Sequence, residues 1–251
     1  MKKLIHALVL TGLVSVPALA LAEDSPHSIS ANVSLTSDYV FRGISQTGGD
    51  PAIQGGFDYA HSSGLYVGTW ASNVGWIKDF QGYDSGSMEI DFYGGYGNSI
   101  GDFTYDIGLI QYMYPGEKAG AVDADTTELY VSGGWKWFTV KYSYYLSDEV
   151  FGFDSDGGDY WDIAASLPVG ETGLTLDAHW GTFGFDNVSA ADYDDWSVGA
   201  SYDMGKLGKL GDGFTVAVKY SDTDADEGVW TDANGEFLGD NTFTFSVAKS
   251  F

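Results

Sequence analysis

The sequence predicts an all-β fold: a single antiparallel transmembrane β-barrel of about 12 strands, with short turns at one end and six longer acidic loops at the other. Three observations carry this. Apolar and polar residues alternate with period 2 through most of the chain, as they do in strands with one apolar and one polar face. Short and long connections alternate along an even number of strands, the pattern of barrels whose turns and loops lie on opposite sides of a membrane. Aromatic residues make up 16% of the chain and collect where strands end, which suits rings anchored at a lipid–water boundary.

The elements follow in order. Lys2 and Lys3 precede an apolar run from Ala7 to Val16, and Ala18 to Ala22 supplies small residues ahead of Glu23. Residues 1–22 therefore read as a secretory signal peptide cut after Ala22 or Ala20, leaving 23–251 as the barrel. A first single strand is expected over Ile29–Phe41. Five hairpins come next, their outward residues being Ile53 to Tyr59 with Leu65 to Ala71, Met88 to Tyr96 with Phe103 to Leu109, Leu129 to Gly133 with Phe138 to Tyr144, Trp161 to Leu167 with Leu174 to Trp180, and Trp196 to Tyr202 with Phe214 to Tyr220. Phe243, Phe245, Val247 and Phe251 mark a closing strand, which ends on the aromatic residue that outer-membrane assembly machinery reads.

Between the hairpins lie long segments at Arg42–Pro51, Asn73–Ser87, Tyr114–Thr126, Ser147–Asp159, Thr182–Asp195 and Asp222–Asp240. They hold most of the 36 acids but only three bases, Arg42, Lys78 and Lys118, so charge is sorted to the loop end. Tyr112, Tyr144, Trp161, Trp180, Trp196, Tyr220 and Phe243 form one expected aromatic belt there; Tyr59, Tyr96, Phe103, Tyr202, Phe214 and Phe251 form another at the turn end. A net charge of −25 opposes nucleic acid, and with no cysteine there is neither a disulfide framework nor a thiolate metal site.

One stretch carries more than pattern. Ser37-Asp38-Tyr39-Val40-Phe41-Arg42-Gly43-Ile44-Ser45-Gln46, followed by Pro51-Ala52-Ile53-Gln54-Gly55, resembles the opening segment of the TorF-type family, small proteobacterial outer-membrane barrels regarded as porins. That resemblance implies a Gram-negative outer-membrane location and a pore, with Arg42 and Gln46 at its mouth. Arg42 then either forms a constriction or pairs with loop acids and fixes the first loop. Outer-membrane lipids, lipopolysaccharide and small hydrophilic solutes are the expected partners.

With the apolar face outward, parity turns Gln54, Asp58, Glu89, Asp91, Asp106, Glu128, Lys141, Asp162, Asp177, His179, Asp203 and Lys219 inward, with Thr242, Thr244 and Ser246 from the last strand. Acids outnumber bases on that face, which predicts either a narrow cation-preferring pore or an interior closed by hydrogen bonds among the same groups. No cofactor is expected. The one triad that parity allows sets His179 with Asp177 and with Ser166 or Ser197, but no short motif supports hydrolysis, so no enzymatic activity is expected. Asp222 to Asp226 and Asp154 to Asp159 echo calcium loops, yet Glu227 stands where the loop needs Gly and Ala233 where it needs Glu. Weak divalent-cation binding by these acids is the most that the pattern offers, and no metal site is assigned.

Overall fold

A computed structural model describes residues 25–118 and 120–251. The expected signal peptide at 1–22 lies outside the described residues. In chain order the strands are β1 (His27–Thr36), β2 (Val40–Phe41), β3 (Ile44–Ser45), β4 (Ala52–His61), β5 (Leu65–Asn73), β6 (Met88–Ile100), β7 (Phe103–Met113), β8 (Thr126–Trp135), β9 (Phe138–Tyr145), β10 (Glu149–Val150), β11 (Phe153–Asp154), β12 (Gly158–Pro168), β13 (Leu174–Phe185), β14 (Tyr193–Asp203), β15 (Phe214–Thr223) and β16 (Thr242–Ser250). All but the two-residue strands close into one antiparallel barrel of twelve, in the order β1-β16-β15-β14-β13-β12-β9-β8-β7-β6-β5-β4. Closure is made by β1, which pairs with β16 from Asn32 opposite Ser250 to Thr36 opposite Ser246, and with β4 from His27 opposite His61 to Thr36 opposite Ala52.

Closure follows from the outer surface. Ile29, Leu35, Ile53, Val67, Phe92, Ile107, Val131, Ile163, Val198 and Phe245 are all exposed, and they recur on every other residue around the wall. An apolar band of that extent is stable against lipid rather than water, and in lipid an open sheet edge would leave unpaired backbone groups at several kcal/mol each. Rings border the band as expected at the loop end, where Tyr142 meets Trp161 at 4.6 Å, Trp196 meets Tyr220 at 5.6 Å and Tyr220 meets Phe243 at 4.8 Å. Tyr112 does not belong there: it is buried and donates to Glu128 at 3.1 Å, because its neighbours Gln111 and Met113 occupy the outward parity.

Connections differ from expectation in length rather than in alternation. The short turns run from two residues, at Gly101–Asp102 and at Lys136–Trp137, to ten at Met204–Gly213, where two 3-10 turns sit. The larger departure is at the first strand. It ends at Thr36, not Phe41; Val40–Phe41 turns back as β2 against β3 within the first loop. Arg42 and Gly43 form the tip of this hairpin with φ of 47° and 80°, the two positive values that a two-residue I′ turn requires. A second hairpin of the same make, β10–β11, turns at Phe151 and Gly152 (φ 47° and 80°) in the loop before β12.

The core consists of loops as much as barrel interior. Trp230 packs against Phe153 at 5.1 Å and Tyr193 at 5.3 Å, and lies parallel to Phe80 at 5.7 Å, so residues of three loops and a strand end share one aromatic cluster. Backbone ties join the loops further: Ser45 N–H donates to the Leu238 carbonyl at 2.8 Å, and Ala233 N–H to Asp79 at 2.7 Å in the short helix α1 (Trp76–Asp79). The loop end of the barrel is thus covered by a packed cap.

Candidate functional site

Four tyrosines shape the inner wall. Tyr66, Tyr93, Tyr130 and Tyr160 alternate with outward residues, and the end of each ring lies over a glycine of a neighbouring strand, respectively Gly95, Gly68, Gly108 and Gly181. A Cβ on Gly68 would stand 2.4 Å from the Tyr93 ring, so the small residue is what admits the large one. The phenols are then held near the wall and satisfy its carboxylates. Tyr93 donates to Asp58 at 2.5 Å, Tyr66 to Asp106 at 2.7 Å while also contacting the Tyr130 hydroxyl, and Tyr160 to Asp195 at 2.8 Å.

The first loop enters this interior. Within it, Asp38 accepts hydrogen bonds from Ser45 Oγ at 2.7 Å and Thr47 Oγ1 at 2.8 Å, which folds the hairpin on itself. Its tip crosses the lumen. Arg42 Nη2 lies 2.7 Å from Glu128 Oε2 on β8, with both side chains almost fully buried, and the guanidinium sits 4.0 Å from the centroid of the Tyr160 ring on β12. On the other side, a Cβ on Gly43 would come within 2.7 Å of Asp195 on β14 and 2.3 Å of Thr223 on β15. The hairpin is therefore wedged between opposite walls, and Arg42 pairs with a wall acid rather than with acids of the loops.

Glu128 is the hub. Beyond Arg42 it accepts from Ser143 at 2.6 Å and Tyr112 at 3.1 Å, and Lys141 Nζ lies 3.0 Å away. Glu89 accepts from Tyr39 of the first loop at 3.1 Å, and Asp91 is buried two residues along β6 on the same face. His179 stands between two carboxylates, Nε2 2.6 Å from Asp195 and Nδ1 2.7 Å from Asp162, the second contact lying off hydrogen-bond alignment. Asp177 accepts from Ser166 at 2.8 Å. Gln54 accepts from Ser34 at 3.3 Å and donates to Ser72 at 3.4 Å, and Lys219 lines a small cavity under the hairpin.

Arg42, Glu128, Lys141, Asp162, His179 and Lys219 are brought together around the hairpin tip; Gln54, Asp58, Asp106 and Asp177 lie apart from them in separate local contacts. Asp203 is at the turn end, where it caps a 3-10 turn by accepting from Gly205 N–H. The conceivable serine triad does not assemble: both nitrogens of His179 face carboxylates, and Asp177 is engaged by Ser166. Asp195 and the four wall tyrosines escaped the sequence reading, although parity marks each of them. Asp195 precedes outward Trp196, and Tyr66 and Tyr130 stand between the outward pairs Leu65/Val67 and Leu129/Val131.

Residues 20–251 match a family described as a bacterial protein of unknown function (Gcw_chp). No curated protein matches the chain. Among solved structures, the NanC porin in its rhombohedral crystal form is similar at a TM-score of 0.54 and 13% identity, over 89% of this chain and 99% of that one. A chain from work on the in-meso crystallization of membrane proteins is similar at 0.50 and 10% identity, over 89% and 83%. The outer membrane protein OprD from Pseudomonas aeruginosa reaches 0.42 at 16% identity, over 92% and 66%, too distant a likeness to bear on the argument. At such identities the similarity is one of fold.

Proposed function

From the lipid-facing barrel and the acidic interior we propose that this chain, which belongs to the Gcw_chp family of bacterial proteins of unknown function, is an outer-membrane channel of porin type. Small hydrophilic solutes diffuse through it, cations in preference to anions, when the first-loop hairpin is withdrawn. The carrying observation is the charge of the inner wall. Asp58, Glu89, Asp91, Asp106, Glu128, Asp162, Asp177 and Asp195 all project inward, against Arg42, Lys141, Lys219 and His179. Walls of one sign in a low-dielectric surround concentrate the opposite ion. The motif from Ser37 to Gln46 adds support, since the TorF-type barrels that it resembles are regarded as porins.

This reading sets the short turns in the periplasm and the acidic loops outside the cell. Export by residues 1–22, assembly through the strand ending at Phe251, and divalent bridges from loop acids to lipopolysaccharide belong to the same proposal. Single-channel recording of the refolded protein in a planar bilayer with a salt gradient tests it. Openings with a cation-selective reversal potential are expected, weakened in Asp106→Asn and Asp177→Asn.

A second reading has its own observation: the wedged hairpin and the aromatic cap close the loop end. A barrel that is folded by heat-modifiable gel migration yet electrically silent, also as Arg42→Met, would favour a non-channel barrel acting as a structural protein, adhesin or receptor.

A further inference from the structure

The cavity beneath the first-loop hairpin is bounded by the tip residues Arg42 and Gly43 and by inward side chains of β12 to β15. Its volume is about 30 Å³, against the roughly 10–15 Å³ that one water needs. There is room for the two oxygens of a carboxylate.

The polar groups around it divide into two sets. Its acceptors are largely engaged. Asp195 faces His179 through Oδ1 at 2.6 Å and takes the Tyr160 hydroxyl through Oδ2 at 2.8 Å, while Asp162 Oδ2 lies 2.7 Å from His179 Nδ1 as an ion pair without hydrogen-bond alignment. Its donors are not. Arg42 commits Nη2 to Glu128, while Nε and Nη1 are buried without a partner. Ser221 Oγ is buried and unpartnered as well. Lys219, half-buried on the same inner face of β15, has neither a hydrogen bond nor a contact ion pair among the described residues; the acids that attract it, Asp195 and Asp38, already accept from other donors.

Buried donors are ordinarily satisfied, and buried charges are ordinarily paired. A water molecule can satisfy the donors, but it supplies no charge opposite the Lys219 ammonium. A small anion answers both, since charge-assisted bonds from guanidinium and ammonium to an oxyanion are the stronger class. We propose that this cavity is a binding site for a small carboxylate, held by Lys219, Ser221 and the Nη1 group of Arg42. Because Arg42 also holds Glu128, an occupant would tie the hairpin to the β12–β15 wall and to β8 at once. The site stands whether or not the barrel conducts.

Titration of 13C-formate into the refolded full-length barrel in detergent, followed by NMR line broadening, tests the site, with acetate as competitor. Saturable broadening reversed by acetate is expected. Lys219→Met should weaken formate binding at least tenfold and Ser221→Ala about threefold, while Lys206→Met in the exposed turn leaves it unchanged. Heat-modifiable migration establishes that each variant is folded, and Ser221→Ala removes only one oxygen, so it serves if Lys219→Met does not fold. Broadening that never saturates, or wild-type affinity in folded Lys219→Met and Ser221→Ala, overturns the assignment. A barrel that binds formate but is silent in bilayers keeps this site and discards the channel.

Discussion

Replacing Arg42 by Met isolates what holds the first-loop hairpin across the lumen. Methionine keeps much of the apolar length, and at φ 47° it meets the same left-handed backbone cost as arginine, so that term cancels. What is lost is the 2.7 Å contact with Glu128 and the stacking of the guanidinium 4.0 Å from the Tyr160 centroid. A hydrogen bond to a charged group is worth about 1.5–3 kcal/mol, and a desolvated cation–π contact about 2 kcal/mol. The larger penalty of a stranded buried charge does not apply in full, because Glu128 retains Lys141 at 3.0 Å, Ser143 at 2.6 Å and Tyr112 at 3.1 Å. The docked state should therefore weaken by about 3 kcal/mol, roughly a hundredfold in the docking equilibrium. The chain has no cysteine, so a single Val40→Cys at a buried position of the hairpin reports on undocking through its rate of maleimide labelling. That rate should rise about a hundredfold when Arg42→Met is added, and about tenfold with Arg42→Lys, which reaches Glu128 but does not stack. Labelling within threefold of the Val40→Cys parent would refute the latch.

Two other expectations follow from local geometry. Gly68→Ala places a Cβ 2.4 Å from the Tyr93 ring and should cost about 1–3 kcal/mol by overpacking, read as a lower urea midpoint of the barrel in lipid vesicles; Tyr93→Ala in the same background should recover part of that loss, and an unchanged midpoint in the single variant counts against the tyrosine-over-glycine account. In the loop between β7 and β8, burial raises the Asp123 carboxyl, but hydrogen bonds from Lys118 and the Asp125 backbone N–H outweigh it and hold the group below the ordinary carboxylate range. A depressed carboxyl stabilises the loop above the unfolded value near pH 4 and stops doing so as the pH falls through the folded one. The pair is about 40% exposed, so the effect stays below about 1 kcal/mol. Protection of the Ala121 amide, which donates to the Lys118 carbonyl, should fall on acidification in the wild type and be low at neutral pH in Lys118→Ala.

The wall was legible because each strand has two different environments. A residue such as Glu89 between Met88 and Ile90, or Asp106 between Tyr105 and Ile107, has only one side on which a carboxylate is tolerable, so parity fixes its direction without any tertiary knowledge. Parity also marked Asp195 and the four inner tyrosines; what concealed them was that charged and other non-aromatic polar residues alone were sought inside and Asp195 was counted with the loop, while Tyr112, an aromatic near a strand end, was assigned to a belt. The pairing of Arg42 with Glu128 was beyond parity altogether. It spans 86 residues of sequence and depends on a loop entering the lumen.

That entry has a local cause hidden by its own regularity. Tyr39-Val40-Phe41 continues the apolar character of β1, so the segment reads as more strand, and the break is made instead by side chains that look like loop polar residues. Asp38 gathers Ser45 and Thr47, and Arg42-Gly43 supplies the two positive φ angles that reverse the chain after two pairs. Once reversed, the hairpin is short enough to fit the lumen and carries one charge at its tip. A lumen lined by carboxylates is where an arginine tip finds a partner, and Arg42 finds it in Glu128. The same acidity on which the proposed cation preference rests therefore holds the closing element in place. Screening by salt should loosen the hairpin little, because both partners are almost fully buried; neutralising the hub with Glu128→Gln should release it as Arg42→Met does.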